Sequence, residues 1–150
     1  MPQYLDDPEC LHWTVGRSSG VVDKIRDISY PNISIQGELV GSSILDNTMK
    51  YPEGEHEFIV HGIWNFDSGR FIGTKEVVKI CKSLGIQHVP VVRNARICDI
   101  AHTKEELLRM VDSLDPGKYG GIKEGWVFRS LDGNEQFKVI SNRWLELTEN

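Results

Sequence analysis

The C-terminal third of the chain constrains the fold most, because it predicts a β-hairpin whose register can be read from the sequence. Two apolar segments, EGWVFRS and EQFKVIS, flank the short loop LDGN. Asp-Gly is among the strongest short signals for a hairpin turn. With Asp132 and Gly133 in the turn, Val127 pairs with Lys138. The chain therefore contains at least one antiparallel strand pair.

Three more segments are predicted to be strands. Residues 33–40 alternate, which places Glu38 on the face opposite Gly37. Residues 58–66, FIVHGIWNF, are apolar on both faces, as is typical of an interior strand. Residues 86–92, IQHVPVV, predict a short strand that its proline confines to a sheet edge.

The predicted helices have clear start and stop signals. One short helix is expected after Ser19. A second begins at Thr74 as N-cap and ends at Gly85. A third begins with Thr103 and Glu106 as a capping box.

The order β-β-α-β-α-β-β predicts a single α+β domain over residues 1–150. Its sheet should be mainly antiparallel, with the helices packed on it.

Composition narrows the function classes. The 150 residues carry 17 basic and 22 acidic side chains, so bulk charge does not favour a polyanion partner. No apolar run approaches the roughly 20 residues needed to span a bilayer. The polar, acidic N-terminus does not resemble a targeting peptide, so we expect a cytoplasmic protein with no membrane association. The cysteines and histidines are scattered, which indicates neither a disulfide framework nor a zinc site.

Two carboxylates occupy unusual positions. Glu38 in GELVG and Glu124 in KEGWVF each lie beside a glycine and next to an apolar strand. A carboxylate in such a place either pairs with a cation or serves a ligand or metal. For each one alone, the simpler interpretation is an edge position or a structural salt bridge.

Lys138 is a single cation within an apolar strand. Taken alone, it is equally well explained as a lysine whose stem packs while its ammonium reaches water. Two carboxylates and a lysine on one sheet would also suit a phosphate and its divalent metal. Strict alternation, however, puts Glu124 on the face opposite Lys138. The two can meet only if Glu124 precedes the regular strand or lies at a bulge at Gly125.

Four motifs in order resemble those of the covalent nucleotidyltransferases, which include ATP-dependent ligases and capping enzymes. GELVG, FIVHGIWNFD, EGWVFRS and FKVISNRWL look like motifs III, IIIa, IV and V. The pattern G-x-x-I-x-x-N over residues 41–47 is similar to the Deinococcus-type RNA ligase branch. The resemblance implies the C-terminal portion of a ligase-type, ATP-grasp-like nucleotidyltransferase domain, here incomplete.

The resemblance also implies roles for individual residues. Glu38 would contact the ribose of ATP or help to hold metal, and Phe58 would stack on the adenine. Glu124 would bind Mg or Mn at the phosphates. Lys138 would contact the phosphate of the nucleotide, which stays bound as AMP. Glu38, Glu124 and Lys138 are accordingly the expected catalytic residues.

The sequence departs from the branch pattern at several positions. His61 and Gly62 stand where an aromatic residue and an aspartate are usual, and Leu45 replaces a usual glutamine. Asn47 matches the pattern, but no role is assigned to it.

The nucleophile of these enzymes, the lysine of K-x-D-G, is also absent. Lys24 is followed by Ile-Arg-Asp and Lys118 by Tyr-Gly-Gly. A covalent intermediate needs a nucleophile, so we expect this chain not to adenylylate itself. The lysine would belong to an N-terminal ligase segment before residue 1.

Three functional hypotheses follow. The chain is part of an ATP-dependent RNA ligase that seals 3′-hydroxyl and 5′-phosphate ends of RNA, or of RNA in a nicked duplex, in RNA repair. Alternatively, it is a non-catalytic module that binds a nucleotide or nucleic acid. The third hypothesis is a structural or interaction domain, in which the same residues affect only stability.

Overall fold

The computed structural model describes residues 9–26 and 32–148. Its helices are α1 Leu11–Ser18, α2 Val21–Arg26, α3 Thr74–Leu84, α4 Lys104–Asp112 and α5 Asn142–Thr148. Its strands are β1 Ile33–Gly41, β2 His56–Asn65, β3 Arg70–Phe71, β4 Gly125–Arg129 and β5 Gln136–Ile140. Among the described residues, no helix is long and apolar enough to cross a membrane. The predicted α+β class is confirmed.

The first sheet has the order β1-β2-β3 and contains one β-bulge. All its ladders are antiparallel. Gln36 pairs with Gly62, whereas Gly37 pairs with Val60, so His61 is an extra residue in β2. The bulge shifts the alternation of the strand. As a result Val60 and Ile63, three residues apart, are both fully buried.

The core lies between this sheet and the helices α2 and α3. Its buried residues are Val21, Val60, Ile63, Val77, Ile80, Cys81 and Ile86. Helix α3 begins at Thr74, but its N-cap is Gly73, one residue earlier than predicted. It ends as predicted at Gly85, whose φ of 61° is readily adopted by glycine. The ammonium of Lys24 donates to the Gly85 carbonyl at 2.7 Å and so ties α2 to the end of α3.

The second sheet is the predicted hairpin, β4-β5. Val127 pairs with Lys138, which confirms the predicted register. The connecting loop spans residues 131–134 instead of two residues, and the Gly133 N–H donates to the Ser130 carbonyl within it. A four-residue loop keeps the same pairing because it lengthens the turn by one residue on each side.

Helix α4 packs against the hairpin and has the predicted N-cap. The hydroxyl of Thr103 accepts from the Glu106 N–H at 3.1 Å. The carboxylate of Glu106 in turn accepts from the His102 N–H at 2.8 Å, one residue before the usual capping-box partner.

Several predictions of secondary structure differ from the structure. The helix after Ser19 is confirmed as α2, but α1, α5 and β3 were not predicted. The predicted strand over residues 86–92 is wrong, since only His88 forms a bridge, a parallel one with Val60. Beyond it, residues 89–99 are exposed and follow no strand ladder. β-branched content predicted a strand there, but its pairing with β2 is limited to Val60, whose N–H donates to the Gln87 carbonyl and whose carbonyl accepts from the Val89 N–H.

Candidate functional site

Glu124 and Lys138 form the closest ion pair among the described residues. The Lys138 ammonium lies 2.5 Å from the Glu124 carboxylate, with side chains 37% and 31% exposed. Glu124 immediately precedes β4, so its side chain does not have to follow the alternation of the strand. The Ser141 N–H donates to the Glu124 carbonyl at 2.8 Å and fixes the backbone there. The sequence condition for bringing the two side chains together is therefore met.

Gly125 allows the backbones of β4 and β5 to approach closely beside this ion pair. A Cβ atom at this position would run into the carbonyl oxygen of Val139 on the opposite strand. Only glycine allows the two backbones to approach so closely. Gly125 thus lets β4 begin tightly against β5, one residue after the carboxylate.

Glu38 lies on the first sheet, close to His61. Its side chain is on the face of β1 that also carries Gln36, opposite Gly37. Burial lowers the pKa of His61, and the Arg129 guanidinium lowers it further. The charge of Glu38 acts in the opposite direction, and the net pKa is below the ordinary value. Glu38, His61 and Arg129 therefore lie together on one face of this sheet, which we call the Glu38 face.

Arg129 connects the two sheets. One of its guanidinium nitrogens donates to the His61 carbonyl, and the other donates to the Gln136 amide oxygen at 2.8 Å. The His61 carbonyl belongs to the extra residue of the bulge, where the ladder of the sheet is interrupted. The guanidinium also fills the space beside Gly62, where it would lie 3.2 Å from a Cβ atom. The hairpin therefore packs with its Arg129 side toward the Glu38 face.

The same face of the hairpin carries Lys138. Val127 pairs with Lys138, and Arg129 pairs with Gln136, so all four side chains share one face. Val127 is 56% exposed despite being apolar. We call the space between the Glu38 face and this face of the hairpin the cleft. Its walls combine carboxylates, two cations, an imidazole and an exposed valine.

Phe58 does not join the other predicted site residues. It pairs with Leu39, so it lies on the face of the first sheet opposite Glu38, and it packs against the core. Its ring lies directly over Gly37, whose Cβ, if present, would be 2.5 Å from the ring. In the same way, the ring of His56 covers Gly41. The two glycines therefore make room for aromatic side chains of β2. The predicted stacking of Phe58 on adenine stays a prediction.

Asn47 has a structural role at the loop that follows β1. Its amide nitrogen donates to the Tyr51 carbonyl at 2.8 Å, and its amide oxygen accepts from the Tyr51 N–H at 2.7 Å. These bonds support Leu45, Asp46 and Asn47, which all have positive φ angles. Such angles are costly for residues other than glycine. The side chain of Leu45 is 62% exposed at this turn.

A second polar cluster holds the segment that leads to Glu124. Glu57 accepts hydrogen bonds from Tyr51 and Lys118, both at 2.9 Å. Burial and the bond to Glu57 raise the pKa of Tyr51 to about 12. Burial acts to raise the pKa of Glu57, but the bonds from Lys118 and Tyr51 outweigh it and lower the pKa. Lys118 is thereby anchored to β2, six residues before the carboxylate of the ion pair.

The carboxylates offer limited metal ligation. No group of three or more His, Cys, Asp or Glu side chains in the described part of the chain could hold a metal ion. Mg²⁺ at nucleotide sites is usually bound through one or two carboxylates together with the phosphates of the substrate. Glu124 fits such a site as a single ligand, because Lys138 beside it can bind a phosphate of the same nucleotide.

Comparison with known proteins decides the family. A family model described as RNA ligase matches residues 3–143, which is most of the chain. This chain belongs to the RNA ligase family. A search among curated protein sequences finds no significant match.

Solved structures of the RNA ligase from Naegleria gruberi share the fold. A variant with ATP and Mn has 29% sequence identity and a TM-score of 0.78, covering 91% of this chain and 40% of that one. A variant with AMP and Mn has 29% identity and a TM-score of 0.76, with 89% and 39% covered. The form with PPi has 29% identity and a TM-score of 0.78, with 91% and 40% covered. The chain thus spans about 40% of the length of these ligases.

The sequence did not assign His61 and Arg129 to the site. His61 was visible only as a departure from the branch pattern, since a bulge cannot be read from one strand without its partner. Arg129 follows the apolar part of EGWVFRS and looks like the polar end of a strand. Only the packing of the two sheets shows that it points into the cleft.

Proposed function

We propose that this chain supplies the nucleotide- and metal-binding part of an ATP-dependent RNA ligase. The reaction joins 3′-hydroxyl and 5′-phosphate ends of RNA, or of RNA in a nicked duplex, as a cytoplasmic repair activity. The observation that carries the proposal is the ion pair of Glu124 and Lys138 beside the cleft. When a nucleotide binds, the carboxylate of Glu124 can take a metal ion in place of Lys138. The ammonium of Lys138 can take a phosphate in place of Glu124.

Each cleft residue has a proposed task. Lys138 would neutralise a phosphate of ATP or of bound AMP, as a point charge. Glu124 would hold Mg or Mn against the phosphates, and the metal would neutralise charge that develops there. Glu38, exposed on its sheet face, would accept hydrogen bonds from the ribose hydroxyls.

Spacing along the chain supports these assignments. Solved forms of the Naegleria ligase carry alanine substitutions at two glutamates and a lysine. The intervals between those three positions match the intervals between Glu38, Glu124 and Lys138 to within one residue. Residues in the same order, at the same spacing and in the same fold are expected to occupy equivalent places.

The nucleophile is proposed to come from elsewhere. The Naegleria ligase has also been solved with a lysine substituted and with an aspartate two residues later substituted. An N-terminal ligase segment would provide the lysine that attacks ATP, which agrees with the 40% coverage of the Naegleria ligase, and the 150 residues without it would be inactive.

Two aromatic rings compete for the nucleobase. The resemblance assigns adenine stacking to Phe58, which packs on the core side of the first sheet. His61 instead presents a ring on the Glu38 face, where the ribose contact is proposed. Any planar ring can stack on a base. We propose that His61, with Val127 on the opposite wall, contacts the base.

Two measurements test the proposed function. Incubation of the purified chain with labelled ATP and Mg or Mn should leave no covalent AMP on it. Binding of AMP should still be saturable, and Lys138→Ala should weaken it by about 10-fold or more, as expected when a hydrogen bond to a charged group is lost. Lys75→Ala, which removes an exposed lysine from α3, is the matched control and should bind AMP like the parent chain.

The outcomes separate the hypotheses. Absence of saturable binding by the parent chain would refute the proposed function and leave a structural domain. Covalent labelling would refute the inactivity of the chain alone. The alternative, a non-catalytic binding module, is favoured by the 40% coverage of the Naegleria ligase and predicts binding even when lysine-bearing ligase segments fail to restore sealing.

A further inference from the structure

Arg129 shares its face of the sheet with Glu38 but forms no direct ion pair with an acidic side chain in the described part of the chain. Its two hydrogen-bond partners, the His61 carbonyl and the Gln136 amide, are both neutral. No ion pair among the described residues includes it. The side chain is only partly exposed, and burial lowers its pKa. A partly desolvated cation without a directly paired counter-charge is costly in a folded protein, and an anionic ligand would supply that partner.

Lys138, the other cation of the cleft, differs from Arg129 because it has an acidic partner. Lys138 is already paired with Glu124, whereas Arg129 keeps its charge unpaired. The two lie diagonally across the hairpin, because Arg129 pairs with Gln136, two residues before Lys138. Diagonal neighbours of this kind are about 7–8 Å apart. Side chains at that distance can contact two adjacent phosphate groups.

We propose that Arg129 binds a phosphate next to the one that Lys138 contacts. The planar guanidinium suits a phosphate better than a lysine would, because it can donate two parallel hydrogen bonds. The second phosphate belongs either to the polyphosphate of ATP or to the 5′ end of an RNA strand. This inference rests on the proposed function, since Lys138 is taken to hold the first phosphate.

The test compares ligands that differ by one phosphate. Affinities of the parent chain and of Arg129→Gln are measured for AMP and ATP, and for an RNA oligonucleotide with a 5′-phosphate or a 5′-hydroxyl. Arg129→Gln should lose about 10- to 100-fold for the ligand that carries the second phosphate. Its affinity for the partner ligand without that phosphate should stay the same. Arg129→Lys, which keeps the charge but not the fork, should fall between.

Each outcome decides the matter. A loss confined to ATP assigns the phosphate to the nucleotide, and a loss confined to 5′-phosphorylated RNA assigns it to the RNA end. Equal losses for both members of each pair, or no loss, would overturn the inference, because they would show Arg129 only fastening the two sheets. If Arg129→Gln does not fold by circular dichroism, the same ratios are measured with Arg129→Lys. Failure of the parent chain to bind any of these ligands would refute the proposed function, and this inference with it.

Discussion

Substitution of Gly37 by alanine tests where the ring of Phe58 lies. In the structure, a Cβ atom at Gly37 would lie 2.5 Å from the Cζ atom of Phe58 and 2.6 Å from the carbonyl oxygen of Ile59. Both distances are far below van der Waals contact. The ring could rotate away only by leaving the core, and the carbonyl belongs to the backbone of β2.

The expected cost follows from overpacking. Extra atoms forced into a packed site typically cost about 1–3 kcal/mol. We expect the upper half of this range, about 2–3 kcal/mol, since one of the two contacts is with backbone that cannot change rotamer. For a chain of this size, that lowers the melting temperature by roughly 4–12 °C.

Urea unfolding, followed by circular dichroism, gives the free energy directly. The control is Gly16→Ala in α1, where a Cβ would meet only Val22 at an ordinary 3.4 Å. Alanine is the better helix former, so this variant should gain about 0.5–1 kcal/mol. If the ring causes much of the clash, Phe58→Ala and Gly37→Ala should be non-additive, with the double variant more stable than the sum of the two predicts.

A Gly37→Ala chain as stable as the parent would refute this reasoning. It would mean that the Phe58 ring is not seated over β1 on the core side. Phe58 would then be free to reach a nucleotide, as the resemblance implied, and the proposed base contact of His61 would lose its basis.

Two further predictions concern pH. In an NMR titration, the pKa of His61 should lie below its usual value near 6.5. Glu38→Gln should lower this pKa further, because the charge of Glu38 raises it. The stability that neutral His61 provides is present above the usual pKa and is lost as pH falls through the lowered pKa. An unchanged midpoint in Glu38→Gln would show that the two side chains are apart. Tyr51, with its pKa raised from 10.0 to about 12, should make the fold less stable as pH rises between these values, and Tyr51→Phe should remove that part of the decline in melting temperature.

Local signals in the sequence predicted much of the fold. The turn residues and apolar alternation were enough for the hairpin register, and the capping box was enough for the start of α4. The same register fixed the condition under which Glu124 could meet Lys138, and the structure satisfies it. These features depend on residues close together in the chain.

Features that depend on distant partners were missed or mispredicted. The bulge at His61 is defined by the pairing of β2 with β1. The position of Arg129 depends on how the two sheets pack together. Motif order also cannot tell which face of an interior strand meets the core, so the packing of Phe58 against the core was not foreseen, and its predicted contact with adenine stays a prediction. Residues 86–92 have the composition of a strand but pair with β2 only through a single bridge between His88 and Val60.

The extra residue in β2 has a consequence for insertions and deletions. Removing most residues from the middle of a strand turns the following side chains to the wrong face. Removing residue 61 would not, because Gln36 would still face Gly62 and Gly37 would still face Val60. The sheet would close into a regular ladder, and the core would keep its packing. A chain with this single-residue deletion should therefore fold, while losing both the imidazole and the carbonyl that Arg129 uses. This deletion would thus show whether ligand binding needs His61, in a chain that still folds.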